Sequence, residues 1–283
     1  MSIAFLGTGL LGAGMVERML AQGETVVVWN RTRSKADALK PAGASVAATA
    51  AEAVAGADRV HLAFTDDQVV DAILSEVTPA LKRDAMVIDH STTLPAATAA
   101  RAARLQQAAV RFLHAPVFMS PQMCRDGKGL IMVSGPSSLF QAAQPALARM
   151  TGDVWHVGER GDLAAAYKLF GNSMLFAINA GLTDVLAMAK HLDVPGDDAI
   201  AVFSRFNTSL AIPMRGKKMV AADFSPMFEL AMARKDVRLM IESAGNQPLI
   251  ILPALAARMD QVIADGYGKD DFAAIAAPVV RPA

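Results

Sequence analysis

The chain has 283 residues, 53% of them apolar and only 19% charged, with 27 basic side chains against 27 acidic ones. A net charge of zero gives no global attraction to nucleic acid or to an anionic membrane surface. Cys124 is the sole cysteine, which excludes an intrachain disulfide and any cysteine-based zinc site and fits a reducing, cytoplasmic setting. The five histidines show no metal-ligand spacing, so no metal is expected. So much apolar area under so few charges predicts that a partner subunit covers part of the surface, as in a homodimer or higher homo-oligomer.

In chain order, strand-like runs at 3–6, 25–29, 59–63, 86–89 and 111–115 alternate with helical stretches such as 11–21, 34–40 and 95–107. That alternation predicts an α/β fold, a doubly wound parallel sheet with helices on both faces. Two more strands, 129–134 and 153–157, flank a helix over 138–150. After Gly158 the strand pattern stops. The reading is therefore an N-terminal Rossmann domain over 1–158 and an all-helical C-terminal domain over 159–283, for substrate and dimerisation. One helix is predicted from about Leu163 to Lys190; at 1.5 Å per residue it is roughly 40 Å long. It is apolar enough to raise a membrane span, but Lys168, Asn172, Asn179 and Asp184 interrupt it, so it reads as a helix buried inside protein. A second helix is predicted to start at Ser225-Pro226 and stop before Gly245, and a third to follow Pro253.

Gly7-Thr8-Gly9-Leu10-Leu11-Gly12 lies between the first strand and the first helix. Alone GxGxxG is a weak signal; in this position it predicts a dinucleotide site. Gly7 permits the turn, Gly9 lets a pyrophosphate approach, Gly12 permits close packing, and the helix start supplies N–H donors. The second strand ends at Asn30-Arg31-Thr32-Arg33, where an NAD site usually carries an acid. Without that acid, and with Arg31 able to pair a 2′-phosphate and Thr32 able to donate, NADP(H) is expected over NAD(H).

Lys168 and Asn172 stand at i and i+4 and share one helix face, which Asn179 and Thr183 roughly continue. Read alone, Lys168 could equally end near a surface and reach water. Further motifs are Asp89-His90-Ser91-Thr92-Thr93-Leu94-Pro95, Phe228 with Lys235-Asp236, and Asp265-Gly266-Tyr267-Gly268-Lys269-Asp270-Asp271-Phe272. Together with the Gly-rich opening and Lys168-to-Asn172, these resemble, nearly end to end, the β-hydroxyacid dehydrogenases of the 3-hydroxyisobutyrate dehydrogenase type. That resemblance implies hydride transfer between a nicotinamide and a small hydroxy acid, aldehyde or ketone. It implies Lys168 as general acid/base, with Asn172 holding a substrate oxygen or a water. It also implies Lys235 reaching the cofactor, and Phe64, Thr65 and Thr92 along the nicotinamide ribose.

The chain departs from the family at Phe118-Met119-Ser120, where the family's substrate loop carries a serine and two glycines. Bulk replaces a hydroxyl and open backbone, so a less polar or larger substrate is expected, or a carboxylate bound elsewhere, with Ser120, Gln122 and Arg125 as replacement contacts. Asp162 and Ala164 also stand where the family often has glycine. Two other readings compete: an imine-reductase-like enzyme, which the lysine argues against, and an NADP-binding protein without catalysis.

Overall fold

A computed structural model describes residues 2–280. The chain divides into two compact units, Met1–Asn172 and Ser173–Ala283.

The first unit runs β1 (Ser2–Leu6), α1 (Leu10–Ala21), β2 (Thr25–Trp29), α2 (Arg33–Asp37), β3 (Ser45–Val46), α3 (Ala50–Val54) and β4 (Arg59–Leu62). It continues with α4 (Asp67–Val77), β5 (Met86–Asp89), α5 (Pro95–Gln107), β6 (Arg111–His114), β7 (Val117–Phe118) and α6 (Pro121–Asp126). Then come β8 (Leu130–Ser134), α7 (Ser137–Thr151), β9 (Asp153–Gly158) and the start of α8 (Leu163–His191). The sheet order is β3-β2-β1-β4-β5-β6-β8-β7, with β9 paired to β8. β1 to β6 are parallel, in the arrangement of a Rossmann domain. The sheet is parallel-dominated, as expected, with one exception: β8 runs antiparallel to β6 and β7. The connection from β6 to β8 holds only β7 and the six-residue α6, too little for a full crossover.

Two apolar layers sandwich the sheet. Ile3, Phe5, Met15, Val28, Ile88 and Leu113 belong to one, and Ala4, Leu6, Val60, Leu62, Val70 and Leu74 to the other. Successive residues of β1 thus serve opposite layers, as the two-residue period of a strand requires. Its residues are buried on both faces, which is why the strand reads as a continuous apolar run.

The second unit holds the rest of α8, then α9 (Gly196–Ala201), α10 (Lys217–Val220), α11 (Leu230–Ser243), α12 (Leu252–Val262) and α13 (Ala277–Val280). Its core is Phe224, Leu230, Val237, Leu252, Met259 and Val262 with several alanines. The buried carboxylate of Asp184 on α8 accepts the N–H groups of Ile250, Ile251 and Leu252 and so caps the first turn of α12. The helix expected from Ser225-Pro226 starts instead at Leu230. Asp271, fully buried, accepts the N–H groups of Met227 and Phe228, while Asp223 accepts the Ser225 N–H, so this stretch is tied off before the helix begins.

The reading of α8 as a helix buried inside protein needs correction for the single chain. Phe170 is 67% exposed, Phe176 65% and Ile178 53%, so its apolar middle is left uncovered. Length and composition alone would let α8 cross a membrane. Asn179 and Thr183 do not wait for outside partners, since both bond back to carbonyls one turn earlier, those of Leu175 and Asn179.

Candidate active site

At the end of β1 the backbone of Gly7 takes φ of +97°, a conformation closed to side chains, and a Cβ there would stand 2.3 Å from the carbonyl oxygen of Ala63. A Cβ on Gly12 would stand 2.1 Å from the Gly7 carbonyl oxygen, whereas one on Gly9 would meet nothing within 4 Å. The first and third glycines are therefore required by packing, and the middle one faces open space. Gly9 precedes α1 without any side-chain cap, so the first-turn amides, those of Leu10 and Leu11 included, remain free for an anion. The Leu10 side chain is 82% exposed. The Thr8 hydroxyl is buried yet has no hydrogen-bond partner.

Asn30 holds the loop from β2 to this turn. Its Oδ1 accepts the Thr8 N–H at 3.0 Å and its Nδ2 donates to the Thr32 carbonyl at 2.9 Å. A cavity of about 440 Å³ opens here, lined by Gly7, Gly9, Arg31, Thr32, Lys35 and Phe64 among others. Arg31 lines it, whereas Arg33 turns to Asp37 at 3.5 Å. Lys35, in α2, also lines the cavity and escaped the sequence reading; Arg31 lies before that helix, so no helical spacing linked the two. An uncapped helix start, an orphaned hydroxyl and two cations lining the cavity suit a dinucleotide.

The other two loops at this edge are fixed by a buried polar network. The Phe64 N–H donates to Ser91 Oγ at 2.9 Å, and Ser91 N–H to Asp89 Oδ1 at 2.9 Å. Arg101, fully buried, donates to Asp71 and Asp67 at 2.8 and 2.7 Å, with its Nη1 4.0 Å from Asp89 Oδ2. Thr65 is exposed and donates to Asp66, and Thr92 is exposed in the loop after β5. Behind these loops Arg59 Nε donates to His61 Nε2 at 2.8 Å, which leaves His61 Nδ1 to donate to His90 Nε2 and His90 Nδ1 to donate to the Ala115 carbonyl. Burial holds both histidines neutral, drawing His90 down to about 4 and His61 well below its usual value.

On α8, Lys168 is half-buried, and burial draws its pKa below the usual lysine value. Its Nζ lies 4.0 Å from the centroid of the Phe118 ring. Asn172 follows one turn later on the same helix. Met119 turns away, its Sδ accepting from the Cys124 thiol at 3.6 Å, so of the two bulky loop residues only Phe118 faces Lys168. Ser120 caps α6 by accepting the Met123 N–H, Gln122 donates to Asp126, and Arg125 pairs with Glu17. Lys235 lies on α11 in the second unit, 3.0 Å from Asp236. The Cys124 thiol is pushed up to about 11 by burial and is no nucleophile. Among the described residues no cluster could hold a metal ion.

Residues 2–158 match the model of the NAD binding domain of 6-phosphogluconate dehydrogenase. Residues 163–279 match that of the NAD-binding domain of NADP-dependent 3-hydroxyisobutyrate dehydrogenase. The chain belongs to the β-hydroxyacid dehydrogenase family. It is an NAD(P)-dependent oxidoreductase of that family. The 3-sulfolactaldehyde reductase of Escherichia coli K12 is 29% identical, over 97% of this chain and 94% of that one. The chloroplastic glyoxylate/succinic semialdehyde reductase 2 of Arabidopsis thaliana is 27% identical, over 97% and 78%. The human cytokine-like nuclear factor N-PAC is 29% identical, but the chain spans only 45% of its length. In structure, an imine reductase from Myxococcus stipitatus in complex with NADP+ superposes with a TM-score of 0.91 at 22% identity, covering 99% of this chain and 100% of that one, which speaks to the fold alone.

Proposed function

We propose that this chain is an NADPH-preferring reductase of a small aldehyde or ketone, or of the corresponding hydroxy acid in reverse, with Lys168 as its general acid/base. One observation carries the reading: a half-buried lysine, unpaired with any carboxylate among the described residues and lowered by burial, stands one turn from Asn172. A lysine shifted toward neutrality transfers protons in either direction. The nicotinamide, when bound, gives or takes the hydride. Lys168 Nζ donates the proton to the carbonyl oxygen, or removes it from the alcohol. Asn172, with a donor and an acceptor on one amide, holds the substrate oxygen or an ordered water. Arg31, Lys35 and Thr32 at the far end of the cavity favour the 2′-phosphate; residues 1–158 would serve the cofactor, and residues 159–283, Lys168 and Asn172 included, substrate and assembly.

Phe118 at the lysine favours a substrate with an apolar flank. The relatives' names suggest small aldehydes for a first panel: sulfolactaldehyde, glyoxylate and succinic semialdehyde, beside uncharged aldehydes and ketones. NADPH oxidation would be followed across it. Turnover that falls by three orders of magnitude or so in Lys168→Ala supports the role, at the scale expected of a general acid; turnover within a few-fold of wild type refutes it. Cyclic imines belong in the same panel as a second reading, because the aromatic Phe118 beside Lys168 would also face an iminium cation.

A second copy of the chain is proposed to cover the exposed face of α8, making a homodimer in the cytoplasm. Lys168, Asn172 and Asp184 interrupt the apolar run, which suits a protein partner better than lipid. A monomer by light scattering at micromolar concentration refutes the dimer.

A further inference from the structure

We propose that Phe118 is a positioning residue for Lys168, its ring seated on Gly171 and its face turned to the Nζ, so that the ring holds the ammonium form in place. The inference rests on the reading of Lys168 as acid/base, and deepens it.

The seat is built from absences. A Cβ on Gly171 would stand 2.2 Å from Phe118 Cζ and 2.9 and 3.0 Å from its two Cε atoms, so the ring lies directly on the helix backbone. Gly171 has ordinary helical geometry, and a glycine there serves space rather than conformation. On the strand side, Phe118 pairs in register with Leu130 of β8, and a Cβ on the adjacent Gly129 would stand 2.7 Å from the Phe118 carbonyl oxygen. The ring thus packs on the helix backbone while the backbone of Phe118 is fixed in the sheet.

The electrostatics at Nζ are simple. Its pKa is moved by burial alone, and no carboxylate offsets that burial. The acidic group on the approach to α8, Asp162, is turned to Arg160 at 2.6 Å, and Asp126 beyond the substrate loop is held by Gln122. Neither β7 nor the first turns of α8 present another charge to the Nζ. At 4.0 Å from the centroid the ammonium sits within the range where the negative face of a ring attracts a cation. The ring therefore opposes the effect of burial: it keeps the proton-donating form populated while burial keeps it transferable. Asn172, next to Gly171 and one turn beyond Lys168, then meets the substrate from a fixed distance along the same helix.

The test separates charge from shape. Fluorinated phenylalanines placed at position 118 withdraw density from the ring face with little change of size. The Lys168 pKa would be read from the pH dependence of its acylation in the full chain, by mass spectrometry, without reference to turnover. A stepwise fall across the series is expected, reaching about half to one and a half pH units when the face is neutralised. Phe118→Leu should show the same fall, Phe118→Tyr little change, and Gly171→Ala, which unseats the ring, a fall like that of Leu. The alkaline limb of reductive kcat should move to lower pH by the same amount. An unchanged pKa across the fluorinated series overturns the proposal, even where Lys168→Ala has abolished turnover and upheld the acid/base reading. A falling pKa in a protein whose Lys168→Ala variant still turns over upholds the contact and refutes the acid/base role.

Discussion

Arg101→Met removes a guanidinium with no exposed surface that faces three carboxylates, of which Asp71 keeps Arg104. Two of them can recover: the side chains of Asp67 and Asp71 are 23% and 36% exposed and will turn to water. Asp89 cannot, since it is fully buried and keeps only the Ser91 N–H on one oxygen, with its Oδ2 unpartnered. The cost is therefore that of one uncompensated buried charge, about 3–5 kcal/mol. For a chain of this size that lowers Tm by roughly 10 °C. Urea denaturation followed by circular dichroism measures it, with Asp89→Asn on the same background as the control. The double variant should regain at least half of the loss, because the stranded charge is gone. If Arg101→Met lies within about 1 kcal/mol of wild type, or Asp89→Asn gives no rescue, the stranded-charge argument fails.

Gly12→Ala places a methyl 2.1 Å from the Gly7 carbonyl oxygen, and the strain should cost roughly ten- to a hundredfold in NADPH affinity, read by fluorescence titration. Replacing Arg31 and Lys35 together with alanine should raise the KM for NADPH roughly tenfold and leave that for NADH unchanged, since only the 2′-phosphate loses its partners. A parallel rise for NADH would place these cations elsewhere along the cofactor. His90 titrates at about 4 in the folded protein against 6.5 in the unfolded one, so between those values the unfolded chain binds the extra proton. Its contribution is full above pH 6.5 and is lost as the pH falls toward 4, by about 3 kcal/mol at the limit. Denaturation midpoints measured down that window should flatten in His90→Gln.

Most of the fold was legible because each of the longer strands and helices carried its own local signal, a short apolar run for a buried strand and a longer Ala/Leu-rich stretch for a helix. The two-residue strands β3 and β7 are too short to carry one. Direction was harder still: nothing in Leu130–Ser134 says that it runs against β6, because orientation is decided by the connection. The start of α11 was misread because Ser225-Pro226 looks locally like a cap, while the group that takes the following amides is Asp271, more than 40 residues later. At the site, the glycines and the Lys168–Asn172 spacing were readable as chemistry. The divergence of Phe118 and Met119 could also have been read, since neighbours in an extended strand face opposite ways. The seat on Gly171 could not, for it depends on where a strand end meets a helix. The uncovered α8 shows a further limit: apolar sequence says that a face will be covered, not which chain covers it.

The lone thiol has a use that its inertness creates. Cys124 sits with its Cβ against the space left by Gly14 of α1, and its hydrogen is given to Met119. Buried, and with its ionisation suppressed, it meets an alkylating reagent only when α6 lifts away from α1. The same helix α1 opens at the glycine-rich turn proposed to hold the dinucleotide. The rate of labelling of this single sulfur thus becomes a clock for the breathing of the cofactor-binding helix, one that NADP(H) should slow and that needs no engineered probe.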